Sequence, residues 1–452
     1  MLKKFVALVL ICALMALGAC SAPPRPAPEP EDLDPKKTLT ICFDLDSSWD
    51  PRHCEFSRET SVTYTGGKLR RQAVEGFIRD LKEAGGPENV EVEFIEGYTS
   101  DREGQLTRLR AELMAGEGPD LFVARNSGTT DLFLFPEKKM EDGIFLALDK
   151  YMDRAQFMEP DKMIAPVFDA GKSKDGRRFL LPMTYSISAA ALRSSQLDFD
   201  PYEPRPVSDL LEGEGSLSGV LSFWVEEETG AMWGIYQAMG QLADYEKEAP
   251  AFTKEELSGF FAELLEYGQR LEGGELTVPD GIHMENPADL DSKLAKLGWA
   301  REPAALMPMP DRDGGVTARV GFFMGVNANS KNPAGAFCAA DFLLGHDYMR
   351  DSDLHMYMRN STNPIYADLM GPGQELPYVR SGPAELFDSI SGEHWEDFQK
   401  MTGMITGAEF PTRLDGLLDQ AYHDYCLAED GAARDKVVDE AYSQARMLLG
   451  EA

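Results

Sequence analysis

The stretch "RAELMAGEGPDLFVARNSG", residues 110–128, holds three pieces in a row: the end of an amphipathic helix, a Gly/Pro turn, and a short apolar run that opens onto Arg125, Asn126 and Ser127. Upstream, "TLTICFDLD" (38–46) and "NVEVEFIEG" (89–97) read as two further strands. Between them "GGKLRRQAVEGFIRDLKEAGG" carries Leu69, Val74, Phe77, Ile78 and Leu81 on one helical stripe, with charges on the other face. The next helix stacks Leu106, Leu109, Leu113 and Met114 before Gly116 and Gly118 stop it. Two helices between three strands imply right-handed crossovers and a parallel sheet covered on both faces. In such sheets ligands gather beyond the carboxyl ends of the strands. Arg125, Asn126 and Ser127 stand at one such end, and Ser47, Ser48 and Trp49 at another.

The remaining bounds agree with a ligand-handling protein of more than one domain. The chain has 452 residues, too many for one compact core. Its 44 Lys and Arg against 77 Asp and Glu give a net charge of −33, which repels nucleic acid and anionic lipid. Lys3 and Lys4 precede an apolar run from Phe5 to Leu17, too short to span a membrane and suited to a secretory signal. The run closes with "LGAC", which resembles a lipoprotein processing site and implies lipid attachment at Cys20 after removal of residues 1–19. Residues 20–37, rich in Pro and charge, form a stiff tether. Cys42, Cys54, Cys338 and Cys426 remain; small buried hydrophobes are the favoured reading, and a Cys42–Cys54 disulfide is a further option.

"LTRLRAELMAGEGPDLFVA", "VFDAGKSKDGRRFLLPMTYSISAAAL" and "PMPDRDGGVTARVGFFMGVNANSKNPAGAFCAADFLL" together resemble the extracellular solute-binding proteins of the maltose-binding type, which serve ATP-driven importers. The resemblance implies an α/β fold of two lobes, each a mainly parallel sheet flanked by helices, joined by strands that pass between them around a ligand cleft. Applied here, residues 38–186 with 326–365 form lobe 1, and 187–325 with 366–452 form lobe 2. "LLPMTYSISAAAL" (180–192) is the first crossing, "GFFMGVNANSKNP" (321–333) the second, and a third lies near Thr362–Pro372. It further implies a monomer at the outer face of the cytoplasmic membrane, whose partners are a small solute, a sugar above all, and the permease subunits of the importer.

A sugar site wants an aromatic plate beside several donors and acceptors. The candidates are Trp49, Trp224, Trp233 and Trp299, with Tyr185 in the first crossing, and Arg125 and Asn126 at the end of the third strand. Thr253 and Glu256 form a capping box for a helix carrying Leu257, Phe260, Phe261, Leu264 and Leu265. The rival class is a secreted carbohydrate-active enzyme, for which only "EEE" (226–228) offers close carboxylates, a chance event among so many acids. A second rival keeps the binding fold but feeds a sensor. "GKS" (171–173) has Pro166 where a phosphate loop needs glycine, and "DRDGG" (311–315) lacks the carboxylates of a calcium loop. No G-x-S-x-G or HExxH occurs, so no catalytic residue, cofactor or metal is expected.

Overall fold

The computed structural model describes residues 30–44, 62–95, 102–128, 131–225, 234–284, 294, 298–299, 302–352, 354–355, 362–373 and 390–451. Strands β1 (Leu39–Phe43), β2 (Val90–Phe94) and β3 (Leu121–Arg125) pair in parallel, β1 in the middle. The helices Val62–Glu83 and Arg102–Met114 connect them. Alternation along the strands decides which helix each face receives. Leu39, Ile41, Phe43, Leu121 and Val123 point to the side of Val74, Phe77 and Leu81. Cys42, Phe122 and Ala124 point to the side of Leu106, Leu109 and Leu113. Met114, read as part of that stripe, is 85% exposed, because the helix ends before its next turn could bury it.

From β4 (Leu180–Ser186) the chain passes through Ile187 and Ser188 directly into β5 (Ala189–Arg193), which belongs to a different sheet. A short hairpin, β6 (Ala243–Asp244) and β7 (Ala249–Pro250), follows. Then β8 (Gly281–Met284) and β9 (Ala304–Pro308) flank β5, both antiparallel to it. This corrects the expectation of a mainly parallel second sheet. β5 carries the chain out into lobe 2 and β9 carries it back, so the two must run in opposite directions. The helix Lys254–Glu272 covers this lobe, with the expected Thr253–Glu256 capping box and Leu257, Phe261 and Leu264 buried.

The return strand β10 (Val316–Val326) lies in the large sheet over its whole length, antiparallel to both β3 and β4. β11 (Asn363–Pro364) edges β4, and β12 (Ile405–Glu409) runs parallel to the first half of β10. Two boundaries drawn from the sequence therefore move. Residues 316–325 sit in the large sheet and not in lobe 2, and the third departure from that sheet falls at Phe410–Thr412 and not at Thr362–Pro372. The physical reason is local: Thr412 and Asp415 form a capping box that opens the helix Arg413–Leu427, whose Leu414, Leu418 and Tyr422 join the lobe 2 core. The helix Gly431–Gly450 packs beside it through Val438, Ala441 and Ala445. Asn332 caps the helix Pro333–Leu343 as its Asn-Pro start implies. Cys42, Cys338 and Cys426 are free thiols, and burial pushes the Cys42 thiol up; Cys54 lies outside the described residues.

Candidate functional site

A cleft of about 650 Å³ lies where the chain passes between the two sheets. One wall is the carboxyl end of β3, Arg125 to Gly128, with Val320 to Phe322 of β10 beside it. The passage Ser186–Ser188 crosses it, and Phe223, Trp224, Tyr236, Gln237, His283 and the start of the helix Arg413–Leu427 form the lobe 2 side. Gly128 shows how tightly the halves meet: its φ is +77° and a Cβ there would stand 2.8 Å from the Thr412 carbonyl oxygen, so both backbone and space demand glycine.

A larger hollow of about 860 Å³ lies on the other side of this junction, lined by Glu137, Asp311, Asp313, Glu409 and Tyr245 among others. Size alone would favour it. The smaller cleft is the better site because it opens on the carboxyl end of β3 and is bordered by the crossings Ser186–Ser188 and Pro411–Thr412, with groups of both lobes around it. "DRDGG", in the hollow, is a turn: Asp311 Oδ1 accepts from the N–H groups of Asp313 and Gly315.

Arg319 divides the two spaces. It is 4% exposed, donates to Glu409 at 3.2 Å and to Asp415, and lies over the Tyr236 ring at 5.0 Å. Burial opposes its charge, but Asp415 and Glu409 more than offset that and hold its pKa above the usual value. Burial pushes the surrounding carboxyls toward their neutral form. Burial pushes Glu137 up to about 7 although it accepts from the Phe410 N–H at 3.1 Å, and pushes Asp419 up to about 7 although it accepts from the Ile235 N–H at 3.2 Å.

The sequence-derived candidates divide sharply. Arg125 and Asn126 line the cleft. The Arg125 Nη1 is buried without a hydrogen-bond partner, and so is the Asn126 Nδ2. Trp224 also reaches the cleft, but with its edge: it is 2% exposed, and its Nε1–H donates to Ser188 Oγ at 2.6 Å. Ser188 Oγ in turn meets His283 Nε2 at 2.8 Å. Tyr185 is a correction. It is fully buried in the core on β4, between β10 and β11, and its hydroxyl has no partner. Trp299 is another, packed in the core with Leu294 and Leu306 under the Arg193 guanidinium at 4.5 Å. Trp49, Trp233, Cys20 and the "EEE" run lie outside the described residues.

Sequence reading missed Phe223 and Tyr236, the half-buried aromatics that line the cleft, and also Arg319. Arg319 did carry a signal, a lone charge in the otherwise apolar run "VTARVGFFMGV". Phe223 and Tyr236 carried none, because each sits in a short helical turn without strand-end context. Among the described residues no group of three or more His, Cys, Asp or Glu is placed to hold a metal ion, and no helix is long and apolar enough to cross a membrane.

No family model matches the chain, and no curated protein matches it in sequence. Solved structures do match in shape. An extracellular solute-binding protein family 1 from Alicyclobacillus acidocaldarius superposes with a TM-score of 0.53 at 15% identity, over 92% of this chain and 100% of that one. A periplasmic oligogalacturonide binding protein from Yersinia enterocolitica gives 0.52 at 14% identity, over 92% and 99%. A designed esterase gives 0.50 at 13% identity, over 92% and 98%. At these identities the likeness concerns the fold, and it agrees with the resemblance seen in the sequence. The chain has the two-lobe α/β fold of extracellular solute-binding proteins.

Proposed function

We propose that this protein captures a small solute, a sugar or oligosaccharide, in the cleft between its lobes and delivers it to the permease of an ATP-driven importer. The observation that carries the reading is the cleft itself, bordered by the crossings Ser186–Ser188 and Pro411–Thr412 and lined by hydroxyls, amides and half-buried aromatics. Ser186, Ser188, Thr362 and Gln237 offer donors and acceptors for hydroxyl groups, and Phe223 and Tyr236 offer apolar faces. A solute that touches both lobes favours the closed form by the difference between its two affinities, and that closed form is what a permease would read. The lobe 1 unit comprises β1–β4 and β10–β12, and the lobe 2 unit the sheet β5, β8 and β9 with the helices of its core. Signal cleavage and lipid attachment at Cys20 would place the protein as a monomer on the outer face of the cytoplasmic membrane, held off by the Pro-rich tether. No cofactor enters this function.

A panel of mono- and oligosaccharides screened by thermal shift tests the reading: at least one raises the melting temperature and emerges chemically unchanged. One observation favours an enzyme, the Ser188–His283 contact at 2.8 Å within the cleft, which is the geometry of a nucleophile and its base. Hydrolysis of any glycan or ester, lost in Ser188→Ala, would establish that rival instead.

A further inference from the structure

Hydrogen-bonding capacity in the cleft is distributed unevenly. Two carboxylates whose charge reaches Arg125, Asp44 and Asp131, are already engaged by other groups. Asp44 binds the Arg102 guanidinium through both oxygens, at 3.0 and 2.7 Å. Asp131 accepts from the Ser127 N–H and the Ser127 hydroxyl, each at 2.8 Å. Arg125 is left with a buried Nη1 that bonds to nothing. Beside it Asn126 is 4% exposed and fixed at both ends: its N–H donates to the Gly321 carbonyl at 2.7 Å and its Oδ1 accepts from the Gly128 N–H at 3.4 Å. That leaves its Nδ2 as a second buried donor without a partner on the same wall.

The other charged groups of the cleft differ. Both Nη atoms of Arg319 are committed to Glu409 and Asp415, with only its Nε unpaired, and Asp419 accepts from the Ile235 N–H. Leaving a buried donor unsatisfied costs about 1–3 kcal/mol, more when it is charged, so a pair of such donors is retained where something pairs with them. A guanidinium beside an amide N–H matches the two oxygens of a carboxylate better than it matches a lone hydroxyl. Resting on the solute-binding reading above, we infer that the cleft selects a saccharide bearing a carboxylate, a uronic acid or its oligomer, with the acid group seated on Arg125 and Asn126. The sugar hydroxyls then face Ser186, Ser188, Gln237 and Asp419 across the cleft.

The test is titration calorimetry of the mature chain with D-glucuronate, D-galacturonate and their disaccharides, each beside its neutral parent sugar. Hydrogen bonds to a charged group contribute about 1.5–3 kcal/mol, so the acid should bind at least about tenfold more tightly than its parent. Arg125→Gln should abolish that preference, Asn126→Ala should reduce it, and Arg125→Lys should keep part of it. Because the preference is a ratio measured within each variant, partial loss of fold does not imitate its loss. Neutral sugars binding as tightly as the acids, or a preference that survives Arg125→Gln, overturns the inference while leaving sugar capture standing. Binding of neither series overturns both.

Discussion

Two arginines border the space between the lobes, and they are held in opposite ways. Arg319 stands on the middle of β10, buried, with Glu409 of β12 and Asp415 of the following helix as partners and Tyr236 beneath it. Arg125 stands at the carboxyl end of β3 and lines the cleft, with one buried nitrogen that has no partner. The same side chain thus ties three elements of the protein together through both its Nη atoms in one place, and leaves an Nη atom unpaired in the other.

The largest expected effect comes from breaking the matched one. Arg319→Ala leaves Asp415 and Glu409 without their cation in a buried place, and removing one partner of such a group typically costs about 3–5 kcal/mol. Chemical denaturation should show that loss, whereas Arg125→Ala should change stability by no more than about 1 kcal/mol. Equal losses from the two would erase the distinction. Reading the same pair through binding reverses the order: Arg125→Ala should weaken any solute found in the saccharide screen by about tenfold or more in titration calorimetry, with the fold retained.

The carboxyls around Arg319 sharpen the contrast through pH. Burial pushes Glu137 up to about 7, above an unfolded value near ~4.3, so the folded state holds its proton more tightly. The resulting stability is fully present below the unfolded pKa and is lost as pH rises through about 7. Melting temperature should therefore fall between pH 5 and 8, and Glu137→Gln should fall less over the same interval. An identical slope in the variant would mean that Glu137 is ordinarily ionised in the folded protein.

Tyr185 gives the smallest effect and the cleanest control. Its hydroxyl is fully buried and bonds to nothing, so Tyr185→Phe removes a cost and should raise stability by about 1 kcal/mol without touching affinity. A loss of solute binding in that variant would return Tyr185 to the cleft.

These outcomes bear on what the sequence made legible. Strand alternation and helix stripes were enough for β1–β3 and the helices that cover them, because each of those patterns is local. The same logic, polar residues at the carboxyl end of a buried strand, singled out Arg125 and Asn126, which line the cleft. Tyr185 was misplaced because no local pattern says that β10 and β11 will close over both edges of β4. The antiparallel second sheet depends likewise on which distant strand pairs with which, whereas the third passage at Phe410–Thr412 is set by the local Thr412–Asp415 capping box, which the sequence reading did not single out. Arg319 was visible as a charge in an apolar strand, yet its partners lie 90 and 96 positions away.

The central claim is that two lobes close on a solute held between them. Small-angle scattering of the mature protein, with and without a sugar that raises its melting temperature, measures this directly. Closure predicts a smaller radius of gyration in the saturated sample, and a radius nearer the free value for Arg125→Ala at a solute concentration that only just saturates the parent protein. A radius that stays the same at saturation would contradict the account.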